Sequence, residues 1–282
     1  LVTKDPSLTQ DQVEDGAVAF VETAASRIRT ADPGRPVTAS LSGIIDWGDL
    51  ANSSIDFVQI HPYANIYPHT GDLDQMIIDT VRDWRSRYAK PIVIGESGLD
   101  SRPPVTCNAD LTVTSRLEMS SRAFVGINHA LWAGVVSGAA TARMLWFEDG
   151  YDKYHFNPPC LPNPEDERLD LRTAYQDASV PPVRFLQGVD YTGFEPITAT
   201  LSGGITGAAL GNESLIIGWM RDLLSAAPAP ADWPTLPGWP DNLAALNTET
   251  VTVMAPGVSH DWLVTFYDTS TGELIYEGRK PS

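Results

Sequence analysis

The sequence predicts an α/β fold: a parallel sheet covered by helices, followed by a small antiparallel β-sandwich. Two observations carry this. From the start to about Asp190, helical and strand patterns alternate, as they do in parallel sheets. From Tyr191 onward the chain is rich in Thr, Gly, Val and Pro with short β-type runs, as sandwiches are. The expected domains are therefore 1–190 and 191–282.

The elements of the first region follow from periodicity. Val13, Ala17, Phe20, Val21, Ala24 and Ile28 recur at helical spacing, predicting a helix from about Gln12 to Thr30 that Asp32-Pro33-Gly34 ends. Pro36 to Ser40 reads as a short strand. Ile55 to Ile60 is apolar at nearly every position, as strands buried on both faces are. Leu73 to Tyr88 carries Met76, Ile77, Val81 and Trp84 on one helical stripe, and Pro91 to Gly95 is a third apolar strand. Ser115 and Glu118 form a candidate capping box for a helix reaching about Ser137. Arg143 to Phe147 is a fourth strand, and a last helix spans about Leu169 to Gln187, broken near Pro181-Pro182. Four strand–helix units amount to half of an eight-stranded barrel, which takes roughly 250 residues.

In the second region, strands are expected at Ile197 to Leu201, Ser214 to Met220, Thr250 to Met254, Trp262 to Tyr267 and Leu274 to Glu277. Thr269-Ser270-Thr271-Gly272 reads as a hairpin turn between the last two. Ala226 to Pro240, rich in Pro, Ala and Trp, reads as an irregular loop. Trp219, Trp233, Trp239 and Trp262 suit either polysaccharide binding or core packing, and packing is favoured.

Composition narrows the partners. The net charge is −17. That repels nucleic acid and anionic membranes, which bind through Lys and Arg, and leaves a neutral sugar as a possible substrate. No apolar run reaches the roughly 18 residues of a membrane span. No Cys/His cluster suggests a metal, and no cofactor is expected. The first residue is Leu1, so the chain is expected to be mature, processed or a fragment.

In parallel barrels the reacting groups sit at the carboxyl ends of the strands. Gly95-Glu96-Ser97-Gly98 follows the third strand, and its glycines are expected to leave room for a substrate beside the carboxylate. From spacing alone, Glu96 is equally a cap of the next turn or the partner of an Arg. His61-Pro62-Tyr63 follows the second strand, where an imidazole and a phenol would orient a carboxylate or bind hydroxyls, or simply pack at the rim. Leu145-Trp146-Phe147-Glu148-Asp149-Gly150 closes the fourth, where Trp146 offers a flat face to a sugar ring or fills the barrel top. Trp47, Tyr67, His69, Tyr151, Tyr154, His155 and Glu148 lie in the surrounding loops as candidate substrate contacts.

Together these three strand ends resemble the glycoside hydrolases of clan A, and family 5 in particular. In that family the sixth strand ends in His-x-Tyr, matched by His61 and Tyr63. The seventh ends in Gly-Glu-[Phe/Ser/Tyr]-Gly, matched by Gly95 to Gly98. The eighth ends in a Trp under the sugar, matched by Trp146. Asp32-Pro33-Gly34-Arg35-Pro36-Val37-Thr38 looks like the family's approach to strand five. His129 to Gly138 resembles the helix before strand eight. The resemblance covers about residues 12–160.

It implies the C-terminal half of a TIM (β/α)8 barrel, strands five to eight, and a retaining β-glycosidase. Glu96 would be the nucleophile, Tyr63 and His61 would assist it, and Trp146 would stack on the sugar. It further implies a disulfide between Cys107 and Cys160, whose loops rise from one face, worth about 4 kcal/mol, and a secreted or extracytoplasmic setting. The chain departs from the family in one respect. The acid/base belongs to an Asn-Glu pair at the end of strand four, and the one Asn-Glu here is Asn212-Glu213, in the second region. A second polypeptide is therefore expected to supply strands one to four and the proton donor, because half a barrel leaves unpaired strand edges. The rival reading is a non-catalytic carbohydrate-binding or structural subunit that keeps the barrel fold.

Overall fold

The computed structural model describes residues 7–40, 48–64, 73–99, 127–141, 171–201, 205–222, 251–254 and 261–280. The sequence-predicted strand at 143–147 and the loops carrying Trp47, Tyr67, Trp146, Glu148, Tyr151, Cys107 and Cys160 lie outside them, as do His69, Tyr154 and His155.

Helix α1 spans Gln10–Ala31. It starts earlier than the apolar stripe because Thr9 and Gln12 form a reciprocal capping box: the Gln12 N–H donates to the Thr9 hydroxyl, 3.3 Å, and the Thr9 N–H donates to Gln12 Oε1, 2.9 Å. Thr9→Ala is expected to lower stability by about 1 kcal/mol, read as a urea midpoint shift at unchanged slope. The buried side of α1 is rotated from the expected stripe. Val21 and Ala25, one turn apart, face the core, while Phe20 stays 70% exposed. Arg29 holds the helix to Asp56 at 2.9 Å, and Glu22 accepts from the Ser54 N–H at 2.7 Å, just ahead of the next strand.

The strand expected from Pro36 to Ser40 is reduced to one parallel bridge, Ser40 to Gln59. Side chains supplement the Asp56 N–H bond to the Val37 carbonyl: the Val37 N–H donates to Asp56 Oδ2 and the Thr38 hydroxyl to the Phe57 carbonyl, both 2.7 Å. After the short helix α2, Gly48–Asn52, comes β1, Val58–Ile60. It pairs in parallel with β3, Ile92–Ile94, in the register Val58↔Ile92, Gln59↔Val93, Ile60↔Ile94. Beyond them β2, Tyr63–Ala64, pairs in parallel with β4, Gly98–Leu99. The Ala140 N–H donates to the Ile92 carbonyl at 2.7 Å, so residues 140–141 enter on the far side of β3. Ser40, β1, β3 and residue 140 thus neighbour one another in chain order.

Val58, Ile60, Ile92 and Ile94 are buried and alternate with part-buried Gln59 and Val93. The buried set lies in one apolar cluster with Met76, Ile77, Val81 and Trp84 of α3, Leu73–Arg87, the stripe expected from its spacing. Residues 127–137 form helix α4, ending at Gly138 with φ +97°.

Helix α5, Leu171–Phe185, runs through Pro181 and Pro182 instead of breaking there. Two ladder bonds are lost. Both proline rings are buried, and the Leu186 N–H still reaches the Pro182 carbonyl at 3.0 Å, so packing offsets the loss.

The second region forms three antiparallel sheets among the described residues. β5, Glu195–Ile197, β7, Ile205–Gly211, and β8, Ile216–Asp222, make the largest. β6, Ala199–Leu201, pairs with β9, Val251–Val253; β10, Trp262–Tyr267, pairs with β11, Leu274–Lys280. The run expected from Ile197 to Leu201 is thus shared between two sheets. β7 has no strand-like pattern, yet it is the central strand. Its Gly207 must be small, since a Cβ there would meet the Trp219 carbonyl at 2.1 Å. The turn expected at Thr269 to Gly272 is present: Asp268 accepts from the Ser270 and Thr271 N–H groups at 2.8 Å, and Gly272 takes φ +76°.

The two regions share one core. Phe194, Ala208, Leu210, Ile217 and Trp219 belong to the same apolar cluster as Ile77, Val81 and Trp132. The Arg221 guanidinium reaches Asp74 at 2.8 Å with both side chains almost fully enclosed. Arg82 donates to the Ala209 carbonyl at 2.9 Å, and Asn128 and Trp132 both donate to the Thr269 carbonyl. Composition changes at residue 190; packing does not.

His129 lies within this contact, its ring 5.5 Å from that of Trp219 and its Nδ1 shut off from solvent without a partner among the described residues. Burial, then the nearby Arg221 charge, push it from 6.5 down to about 3. The unfolded chain therefore takes up a proton that the folded chain refuses. Stability is whole above pH 6.5 and declines as pH falls toward 3, by at most about 1.4 kcal/mol per pH unit. His129→Phe is expected to flatten this part of the profile; urea midpoints compared between pH 7 and 5 would show it, and an unchanged slope would contradict it.

Candidate functional site

The site lies where the β1/β3 ladder gives way to the β2/β4 ladder. Five residues are interposed there: His61 and Pro62 on one chain segment, Gly95, Glu96 and Ser97 on the other. The apolar β1 and β3 are anchored beneath α3, so the residues at their carboxyl ends project from a rigid base. Side chains alternate along a strand, so Gln59 and His61 share the face opposite Val58 and Ile60.

Glu96 Oε2 lies 3.4 Å from His61 Nδ1. The carboxylate side chain is 28% exposed while the imidazole is 6% exposed. One acid thus faces solvent with a covered imidazole behind it. Pro62 and Ser97 beside them are fully buried. Burial pushes His61 below the usual imidazole range, outweighing the opposite pull of the Glu96 charge, so it is neutral near pH 7.

His61 Nε2 has two neighbours at 3.0 Å, Ser40 Oγ and Gln59 Nε2. Neither residue was expected in the site. Gln59 had a readable signal: it is polar within an apolar strand, two residues before His61 and so on the same face. Ser40 had none, because its place depends on a bridge to a strand nineteen residues on.

Gly95 has a different role from the one its sequence suggests. A Cβ there would lie 2.1 Å from Gln59 Nε2 and 2.5 Å from its Cδ. The missing side chain makes room for Gln59, not for a substrate.

Of the other expected residues, Tyr63 is described by its backbone, paired with Gly98 in β2. Trp47, Tyr67, Trp146, Glu148 and Tyr151 lie outside the described residues, as does the proposed bridge between Cys107 and Cys160. Trp219 is buried at 3% exposure and packs on His129. Asn212-Glu213 sits in the β7–β8 turn, where Asn212 Oδ1 accepts from the Ser214 and Leu215 N–H groups. Among the described residues, no group of three or more His, Cys, Asp or Glu could hold a metal ion. No helix among them is long and apolar enough to cross a membrane.

No family model matches the chain, and no curated protein does. Two solved structures resemble it. One is an endo-β-1,4-mannanase from Thermotoga petrophila, with TM-score 0.33 and 13% identity over 74% of this chain and 55% of that one. The other is a glucosidase from Croceicoccus marinus, with TM-score 0.38 and 11% identity over 95% of this chain and 60% of that one. The chain thus spans less than two thirds of either protein's length. Likenesses at this level assign it to no family.

Proposed function

We propose that this chain is the nucleophile-bearing part of a retaining β-glycoside hydrolase acting on oligosaccharide or polysaccharide. The observation that carries this is Glu96 itself. It is a part-exposed carboxylate at the carboxyl end of a parallel strand, backed by a buried, neutral imidazole at 3.4 Å. The wider frame is strands five to eight of a (β/α)8 barrel in an extracytoplasmic protein, with Tyr63, Trp146, Trp47, Tyr67, Tyr151 and Glu148 around the sugar. The Cys107–Cys160 bridge would tie its loops.

The reaction is a double displacement. The Glu96 carboxylate attacks the anomeric carbon as the bond to the leaving oxygen breaks, and a second carboxyl about 5–5.5 Å away protonates that oxygen. Water then attacks the glycosyl ester, giving up its proton to the same second carboxylate, and Glu96 is released. His61 sets a neutral imidazole 3.4 Å from Glu96 Oε2 without adding a full charge. The proton donor comes from polypeptide beyond these 282 residues, as a separate chain or a nicked fragment.

The test uses a leaving group that needs no proton. Dinitrophenolate departs unaided, so a dinitrophenyl β-glycoside should glycosylate Glu96 even where the acid is missing. The adduct then persists, since the base that would activate water is missing too. The expected result is one burst of dinitrophenolate and a mass gain of one glycosyl unit on the peptide holding Glu96. Binding of glucosides, mannosides and galactosides with no burst from any of them would favour the non-catalytic carbohydrate-binding reading.

A further inference from the structure

We infer that Gln59, seconded by Ser40, is a positioning residue that fixes the proton of His61 on Nδ1, the nitrogen that faces Glu96. The role builds on Glu96 as nucleophile, but the arrangement exists in the resting chain and is testable there.

A neutral imidazole has one N–H and one lone pair. Gln59 presents its amide nitrogen, a pure donor, 3.0 Å from His61 Nε2. A donor must meet the lone pair, so Nε2 is unprotonated and the hydrogen is on Nδ1. That hydrogen faces Glu96 Oε2 at 3.4 Å. The Ser40 hydroxyl, also 3.0 Å from Nε2, turns its proton toward the same lone pair. In the opposite tautomer an N–H would confront the amide hydrogens, and the Nδ1 lone pair would confront the carboxylate.

The amide also depends on the space left by Gly95. Its Cγ, Cδ and Nε2 all lie where a side chain on Gly95 would be. Gly95 directly precedes Glu96, so one glycine both admits the orienting amide and carries the carboxylate into place. Strand pairing completes the arrangement, since Ser40 and Gln59 are bridge partners. The chemical result is an N–H, rather than a lone pair, set toward Glu96 Oε2. A charged imidazolium in that place would hold the carboxylate more strongly and weaken it as a nucleophile.

The test is long-range ¹H–¹⁵N spectroscopy of the full ¹⁵N-labelled chain near pH 7, with His61→Gln identifying the signals. The expected wild-type spectrum has Nδ1 pyrrole-like and Nε2 pyridine-like. The reverse pattern, meaning that the Gln59 carbonyl faces the ring, overturns the inference without any variant. Gln59→Leu should convert His61 mainly to the Nε2–H form. Gln59→Glu should set a carboxylate against each nitrogen and raise the titration of His61 by about one pH unit or more. Gly95→Ala should displace the amide and disturb the tautomer with Gln59 still present. An unchanged tautomer in folded Gln59→Leu also overturns the role. With a dinitrophenyl glycoside, Gln59→Leu should slow glycosylation roughly tenfold to a hundredfold, the effect of losing an orienting partner elsewhere. If Glu96→Gln kept full activity, the nucleophile assignment would fail while the tautomer result stood.

Discussion

Glu96→Gln is expected to slow the dinitrophenolate burst from a dinitrophenyl β-glycoside by about 10⁴-fold or more, with sugar affinity and fold unchanged. The amide is nearly isosteric, and its carbonyl can still face His61 Nδ1, so the local packing survives. What disappears is the anionic oxygen that forms the bond to the anomeric carbon. No neighbour can replace it among the described residues, since His61 is covered and turned toward Glu96. Initial rates on a dinitrophenyl glycoside, together with a binding isotherm for the free sugar, check this. Glu213→Gln is the control: that acid is exposed in the β7–β8 turn and should leave the rate within twofold. Equal rates for Glu96→Gln and wild type would remove the proposed mechanism.

Asp74→Asn is expected to lower stability by about 3–5 kcal/mol, because it removes the Asp74 charge from an enclosed ion pair with the Arg221 guanidinium. For a chain of this size that corresponds to about 10 °C in melting temperature. Calorimetry and urea unfolding would both read it. The pair joins the first turn of α3 to the last strand of the three-stranded sheet, 147 positions apart. Replacing both partners, as Asp74→Leu with Arg221→Met, should recover much of the loss, since a matched apolar pair needs no desolvated charge. A loss under 1 kcal/mol in Asp74→Asn would mean that water reaches the guanidinium. Because α3 also covers the strands behind His61 and Glu96, the single variant should blunt activity as its melting point is approached.

How far the sequence could be read depended on the range of the force involved. The helix Leu73–Arg87 and the strands Val58–Ile60 and Ile92–Ile94 were legible because burial of alternate or stripe residues is written directly into their spacing. β7 was not, because Ile205 to Gly211 is held by two flanking strands and by glycines that fit them. The expected break at Pro181-Pro182 failed for a related reason. The propensity penalty is local, but the burial that offsets it comes from neighbours distant in sequence.

The candidate site divides the same way. By itself the sequence determined that His61 and Glu96 follow apolar strands and so stand at strand ends, since a strand's reach and alternation are properties of adjacent residues. Tertiary structure alone decided that they meet, that Gln59 and Ser40 stand behind the imidazole, and that Gly95 is small for the sake of an amide. It also decided that the region after residue 190 shares the core of the region before it. Those outcomes depend on which surfaces approach to within a few ångströms, and hydrogen bonds and close contacts form only at that distance, whatever the separation along the chain.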